Sequence, residues 1–172
     1  MKTSKPVAVR PATAKEQHYV DRAAYYVGRA MLCYQAELWP EAATNFGSAL
    51  ESLLRVRFGA GGTLANLVDK FDRDSYFNGI LVHDGASKNC ATCMADEIRK
   101  LRNAVHPDCW KEAAKKEVDR AGMLVLMLYH VLVTCDQSKV GIFQASPDVI
   151  LRNMEAAGIS FESTEQAVPV PR

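Results

Sequence analysis

The sequence predicts an all-α protein, an antiparallel bundle of four main helices with short extra helices. In several long stretches, apolar residues return every three or four positions, which is the period of an α-helix. Proline and glycine fall between these stretches, where they start or end helices. The alternation of apolar and polar residues that is typical of strands is almost absent. The short connections between the stretches favour an antiparallel bundle.

The 172 residues are enough for one domain with a hydrophobic core. Residues 1–13 contain two prolines and little to bury, so we expect a flexible leader there. Residues 14–158 are predicted to form the helical domain. Residues 159–172 are polar, contain two prolines and are predicted to be a flexible tail.

The first two long helices are predicted on either side of Trp39-Pro40-Glu41, since proline suits the first turn of a helix. The first runs from about Lys15 to Leu38, and the second runs to about Phe58 and ends at the glycines of residues 59–62. The apolar residues expected to face inward are Val20, Ala23, Val27, Ala30, Tyr34 and Leu38 in the first helix, and Ala42, Phe46, Ala49, Leu53 and Val56 in the second.

Thr63 is a suitable N-cap for a short helix that carries apolar residues at positions 64, 67, 68 and 71. Residues 72–89 contain two turn signals, Asn78-Gly79 and Asp84-Gly85. The apolar run between them is too short to distinguish a strand from a helix.

Two further long helices are predicted at about Cys90 to His106 and about Lys111 to Thr134. The second half of the latter is apolar nearly all round, so it is expected at the centre of the bundle or at a subunit interface, where it is a candidate dimer seam. Ser146-Pro147-Asp148 begins a last short helix that Gly158 ends.

Composition excludes several classes of protein. The net charge of +1 is too small for a general nucleic-acid coat, and residues 88–120 hold eight basic and six acidic side chains, so any RNA contact would be local. No signal peptide is visible, and the most apolar window, Ala121 to Cys135, is too short for a membrane span. Five cysteines are an odd number, which favours reduced thiols in the cytoplasm.

The stretch from Ile98 to Pro107 contains the residues that are the strongest candidates for a functional site. Arg99, Arg102, Asn103 and His106 lie at spacings i, i+3, i+4 and i+7, which place them on one face of a helix. The apolar residues Met94, Ile98, Leu101 and Val105 follow the same period on another face. Proline at position 107 cannot continue the helix, so a cation, an amide and an imidazole gather at one helix end.

Together with Ala49 to Leu54 on the upstream helix, this stretch resembles the HEPN superfamily of helical-bundle proteins. The resemblance implies a HEPN-like bundle. Many HEPN proteins are metal-independent endoribonucleases whose active site is shared across a homodimer, whereas others bind nucleotides or protein partners without catalysis. The family signature is an arginine, usually followed by a polar residue, and a histidine after four to six intervening residues.

The signature fits this chain in two ways. Arg102 is followed by Asn103, as in the family, but only three residues separate it from His106. Arg99 is separated from His106 by six residues but is not followed by asparagine. The family's arginine role therefore falls on Arg99 by spacing or on Arg102 by local sequence.

These residue types suit cleavage of RNA by its own 2′-hydroxyl. A histidine can act as base or acid near neutral pH, which is the role expected for His106. Arg99 and Arg102 would stabilise the phosphate with a planar, always charged guanidinium, and Asn103 would orient the imidazole or donate to a phosphate oxygen. A homodimer would supply the second imidazole. No cofactor and no metal are expected.

The alternative hypothesis is a non-catalytic HEPN-like adaptor that binds a nucleotide or a protein, such as an antitoxin, in a defence, stress or toxin–antitoxin system. In a third interpretation, Cys90, Cys93, His106 and Cys109 would hold zinc. A helix over residues 94–105 separates the two halves of that set by about 18 Å, so a single ion cannot bridge them, and structural thiols are predicted instead.

Two weaker features have structural interpretations. HEPN proteins often place a supporting polar residue at the position of Glu51, but by sequence this residue is best interpreted as an ordinary surface carboxylate. Tyr25, Tyr26 and Tyr34 could stack on bases, yet their spacing favours core or seam positions.

Overall fold

The computed structural model describes residues 13–59, 61–74, 81–83, 88–104, 113–129, 132 and 152. The predicted all-α class is confirmed for this part of the chain, with one short β-ribbon added. The elements are α1 (Ala14–Gln35), α2 (Trp39–Phe58), α3 (Leu64–Asp72), β1 (Leu81–His83), β2 (Lys88–Cys90), α4 (Ala91–Ala104) and α5 (Lys115–Tyr129).

A capping box starts α1. The Thr13 hydroxyl accepts a hydrogen bond from the Glu16 backbone N–H at 3.3 Å, and the Glu16 carboxylate accepts one from the Thr13 N–H at 2.6 Å. These two bonds satisfy backbone donors that have no partner within the helix.

The end of α1 differs from the prediction, because the helix stops at Gln35 and not at Leu38. Glu37 adopts a left-handed conformation with φ of 60°, and the Leu38 N–H then donates to the Cys33 carbonyl at 2.9 Å. This pattern closes a helix C-terminus. Leu38 leaves the buried stripe as a result and is 48% exposed.

The predicted limits of α2 and the predicted cap of α3 are confirmed. Pro40 lies in the first turn of α2, and Gly59 follows its last residue with φ of 81°, a conformation that glycine adopts without strain. Thr63 caps α3 in a reciprocal pair with Asn66.

The sequence did not decide between a strand and a helix for residues 72–89, and the structure places most of the β-ribbon there. Strands β1 and β2 pair in antiparallel fashion, with Leu81 opposite Cys90.

The described part of α4 lies within the predicted helix, and its predicted end at His106 lies outside the described residues. Helix α5 begins at Lys115, four residues later than predicted. The reason is a cap: the Glu117 carboxylate accepts a hydrogen bond from the Ala114 N–H at 3.0 Å, which sets the start of the helix directly after Ala114. Several other predicted features also lie outside the described residues. They are the end of α5 at Thr134, the leader before residue 13, the last short helix apart from Arg152, and the C-terminal tail.

Helix α2 is the centre of the core, because it packs against α1, α3, α4 and α5. The second half of α5, residues 121–129, is buried throughout. Sequence alone allowed either a central position or a dimer seam for this segment. The burial of residues 121–129 within a single chain gives them the central position and leaves them no surface to offer a second subunit. The rest of the predicted apolar half, up to Thr134, lies outside the described residues except for the partly buried Leu132.

A polar and aromatic cluster joins α1 to α5. The Tyr34 hydroxyl donates a hydrogen bond to the Asp119 carboxylate, and the Lys115 ammonium lies 3.0 Å from both the Tyr34 oxygen and Asp119. The ammonium also lies 5.3 Å from the Tyr34 ring centre and 5.9 Å from that of Trp39. The hydrogen bonds with Tyr34 and Asp119 raise the pKa of Lys115, so its positive charge is stabilised at this junction.

Among the described helices, none combines the length and the apolar character that crossing a membrane requires.

Candidate functional site

Three of the four predicted site residues lie in the last two turns of α4. Arg99 and Arg102 are partly buried, and Asn103 is exposed. His106, two residues beyond the described end of α4, lies outside the described residues. The surroundings of the two arginines and of the asparagine are therefore the geometry on which the site can be judged.

Arg102 is held against α2. Its Nη1 lies 2.9 Å from Oε2 of Glu51, which forms a salt bridge between residues 51 positions apart. The aliphatic part of Arg102 lies on Gly47, where an added Cβ would come within 2.8 Å of the arginine Cδ and 2.9 Å of its Cβ. Only glycine at position 47 lets the arginine lie this close to α2.

Glu51 binds a second arginine through its other oxygen. Its Oε1 lies 2.6 Å from Nη2 of Arg55, and the same Nη2 donates to the Gly62 carbonyl at 3.1 Å. The carboxylate thus connects α4 with α2, and Arg55 extends the connection to the segment before α3. The interpretation of Glu51 as an ordinary surface carboxylate is wrong, because the side chain is only 24% exposed and pairs with two guanidinium groups.

The sequence contains part of this signal. Arg55 is four residues after Glu51, a spacing at which opposite charges meet on a helix. The contact with Arg102 depends on the packing of α4 against α2 and has no local signature.

The two arginines keep the carboxyl group of Glu51 ionised to a lower pH than usual. Burial on its own would raise the pKa of this carboxyl group, but the hydrogen bond from Arg55 and the charge of Arg102 outweigh it. The net effect is a pKa below the ordinary value of 4.5, so Glu51 is ionised at neutral pH and holds Arg102 in place.

Arg99 has a different kind of partner. Its Nε and Nη2 lie 2.9 and 2.7 Å from Oδ1 of Asp96, and Lys100 lies 2.6 Å from the other oxygen of that carboxylate. The hydrogen bonds from Lys100 and Arg99 lower the pKa of Asp96. Arg99 is therefore paired within α4, whereas Arg102 is fixed to a second helix.

A cleft of about 350 Å³ lies beside this region, between α4 and α5. Its apolar surface comes from both helices, and a salt bridge of 3.0 Å between Glu97 and Arg120 spans them. The lining residues are Met94, Glu97, Ile98, Lys100, Leu101, Glu117, Arg120 and Ala121. Arg99, Arg102 and Asn103 are not among them, so the structure does not bring the predicted residues into this cleft.

The cysteines differ from the prediction of reduced thiols. Cys93 is disulfide-bonded, whereas Cys33 is a free thiol whose pKa is raised by burial. An odd number of cysteines requires only one unpaired thiol, which is why the count could not exclude a disulfide. A disulfide-bonded Cys93 offers no thiolate to a metal, and the described residues contain no group of three or more His, Cys, Asp or Glu side chains that could hold an ion.

The three candidate stacking tyrosines occupy different environments. Tyr34 is 4% exposed and belongs to the core, as expected, and Tyr26 is partly buried against it. Tyr25 is 44% exposed, so of the two predicted positions, core or subunit seam, the core position is wrong for this residue. It lies on the outer side of α1, where nothing in the described part of the chain covers it.

The Glu51 contacts predict a pH-dependent contribution to stability. We expect Glu51→Gln to lower the free energy of unfolding by about 1 kcal/mol at pH 7, because the ion pairs with Arg55 and Arg102 are lost. The pKa of Glu51 is lower in the folded protein than in the unfolded chain, so its contribution is complete above the ordinary value of 4.5 and is lost as the pH falls through the lower folded value. Urea unfolding at a series of pH values measures this difference.

Glu37→Gln is the matched control, since Glu37 is an exposed residue in the turn after α1. A deficit of Glu51→Gln that stays constant from neutral to acidic pH would contradict the proposed electrostatic origin.

The likeness to known proteins is confined to the motif residues. No protein-family model matches the sequence, and neither a curated protein nor a solved structure is significantly similar to it. The resemblance to HEPN proteins therefore depends on Ile98 to Pro107 and on Ala49 to Leu54 in α2.

Proposed function

We propose that this chain is a HEPN-like RNA-binding protein that acts as a metal-independent endoribonuclease. In this proposal the long helices form an antiparallel four-helix bundle, and two copies combine their α4 ends in one homodimeric active site. The observation that best supports it is the salt bridge between Arg102 and Glu51, which fixes a guanidinium near the exposed Asn103. Preorganised charge of this kind stabilises a transition state more effectively than a mobile side chain does.

Arg102 keeps donors for a phosphate while it is held in place. Among the described residues, its guanidinium makes one hydrogen bond, from Nη1 to Glu51, and the side chain is 33% exposed. The remaining N–H groups can bind the phosphate oxygens that become more negative as the 2′-oxygen attacks phosphorus.

His106 would supply the proton transfers. One imidazole takes the proton of the 2′-hydroxyl, and a second, from the other subunit, gives a proton to the leaving 5′-oxygen. The products are a 2′,3′-cyclic phosphate and a 5′-hydroxyl. Asn103, exposed one residue after Arg102, would donate a hydrogen bond to the phosphate or orient the ring.

The test is cleavage of structured and single-stranded RNA by the purified protein in the presence of a metal chelator. We expect cleavage with cyclic-phosphate ends, and its loss in His106→Ala. A matched control is Arg73→Ala, which changes an exposed arginine at the end of α3. RNA that stays intact with the unaltered protein, or that His106→Ala cleaves equally well, would overturn the proposal.

One observation favours the second candidate, a non-catalytic HEPN-like adaptor. Arg99 and Arg102 are both already paired with carboxylates, which reduces the positive charge that they offer to RNA. Such an adaptor would bind a nucleotide or a protein such as an antitoxin in a defence or stress system. A tight nucleotide or protein complex that persists in His106→Ala, without any RNA turnover, would support it.

A further inference from the structure

One side of α1 carries a continuous row of exposed residues. The row consists of Lys15, His18, Arg22, Tyr25, Arg29 and Leu32, and every member is exposed. Their spacing alternates between three and four residues, which keeps them on one line along a helix. The line is roughly 25 Å long at 1.5 Å per residue. We call it the outer stripe of α1.

The outer stripe carries positive charge and no acid. Lys15, Arg22 and Arg29 are spaced one heptad apart, and none of them forms a salt bridge with a described residue. The guanidinium of Arg22 lies 6.0 Å from the ring centre of Tyr26, so it rests partly on an aromatic face.

The two acids of α1 are engaged elsewhere. Glu16 binds the cap at Thr13, and Asp21 accepts a hydrogen bond from Gln17 and contributes to the raised pKa of the buried Tyr129. Burial is the larger cause of that shift, and Asp21 itself is exposed. The outer stripe itself therefore carries three cations and no acid.

Exposed apolar side chains concentrate at the same place. In the described part of the chain, three large hydrophobic residues are exposed: Tyr25 at 44%, Leu32 at 52% and Leu38 at 48%. Tyr25 lies on the outer stripe between Arg22 and Arg29, Leu32 ends the stripe after Arg29, and Leu38 follows the end of α1. Exposed apolar residues that are clustered, in contrast to single ones, mark interaction surfaces.

We propose that the outer stripe of α1 docks an acidic amphipathic helix of a partner protein. A helix laid along α1 would place an acidic residue opposite each cation if its acids repeat every seven residues, a rise of about 10.5 Å. Its apolar residues would then meet Tyr25 and Leu32. This docking surface is independent of the ribonuclease proposal, because it uses no residue of α4.

The composition of the outer stripe argues against two other occupants. A second copy of this chain would bring the cations of one outer stripe against those of the other. A single-stranded nucleic acid is bound mainly by aromatic side chains that stack its bases. The stripe offers the rings of His18 and Tyr25 but ends in the aliphatic Leu32, which the apolar face of a helix would cover.

The experiment uses a synthetic helical peptide with glutamate at every seventh position and leucine three residues after each glutamate. The control peptide has the same composition in scrambled order. Fluorescence anisotropy with the full chain is expected to show binding of the patterned peptide at low salt, with about tenfold weaker binding of the scrambled peptide.

Arg22→Glu/Arg29→Glu is expected to weaken binding of the patterned peptide by at least about tenfold, since two attractions become repulsions. Lys70→Glu/Arg73→Glu reverses the same number of charges on the exposed side of α3 and is expected to leave binding unchanged. Equal binding of the two peptides, or equal losses in the two double variants, would overturn the proposal. Preferred binding of oligouridine that only Arg22→Glu/Arg29→Glu abolishes would overturn it in favour of a nucleic-acid surface.

Discussion

Phe46→Ala is expected to lower the free energy of unfolding by about 3–5 kcal/mol. Phe46 is completely buried in α2, the helix that contacts all four other helices, so truncation leaves a cavity where the core is least able to collapse. A domain of this size has a total stability of about 5–15 kcal/mol, so this one substitution removes a large fraction of it. Urea unfolding followed by circular dichroism measures the change.

Phe58→Ala is the matched control, because Phe58 is the same residue type in the last turn of α2 and is only partly buried. Its loss is expected to be smaller than that of Phe46→Ala by about 2 kcal/mol. Equal losses would contradict the deeper burial of Phe46 as the source of the effect.

Arg102→Lys and Arg102→Ala are both expected to reduce RNA cleavage by about 100-fold or more. A lysine keeps the positive charge but lacks the planar fork that can bind Glu51 and a phosphate at the same time. The free energy of unfolding is expected to change by no more than about 1 kcal/mol, because Glu51 keeps Arg55 as its partner. Activity and stability are therefore separated in these two variants.

Initial rates of cleavage of a labelled RNA, measured beside unfolding curves for the same preparations, test this expectation. Arg57→Lys is the control for the arginine-to-lysine change, since Arg57 pairs with Asp74 at 3.0 Å, away from the motif. Full activity of Arg102→Lys would show that a positive charge alone suffices at this position. The planar shape of the guanidinium would then have no role in cleavage.

The same contacts explain which parts of the site could be predicted. The placement of Arg99, Arg102 and Asn103 near one helix end follows from their spacing, because residues three and four apart are neighbours on any helix. The choice between the two arginines did not follow. Arg102 is distinguished by the salt bridge with Glu51, 51 positions away, and by the absence of a side chain at Gly47.

The helix limits also divide into those that local sequence predicts and those that depend on the surrounding structure. Thr13 and Thr63 cap α1 and α3 with bonds that span three residues, and the predicted limits of α2 agree with those observed. The end of α1 was misplaced because Glu37, an ordinary helix-forming residue, adopts a left-handed conformation that only the following chain reversal requires.

The sequence by itself determined the helical class, most helix limits and most of the apolar stripes of α1 and α2, because periodicity and capping act over a few residues. Of the residues predicted to face inward, Leu38 is exposed, and Val20 and Val56 are only partly buried. Tertiary structure alone decided that the apolar half of α5 lies at the centre of the chain, that Glu51 clamps Arg55 and Arg102, and that Tyr25 faces outward. These outcomes depend on which helix packs against which, and that is the joint result of contacts between residues far apart in the chain.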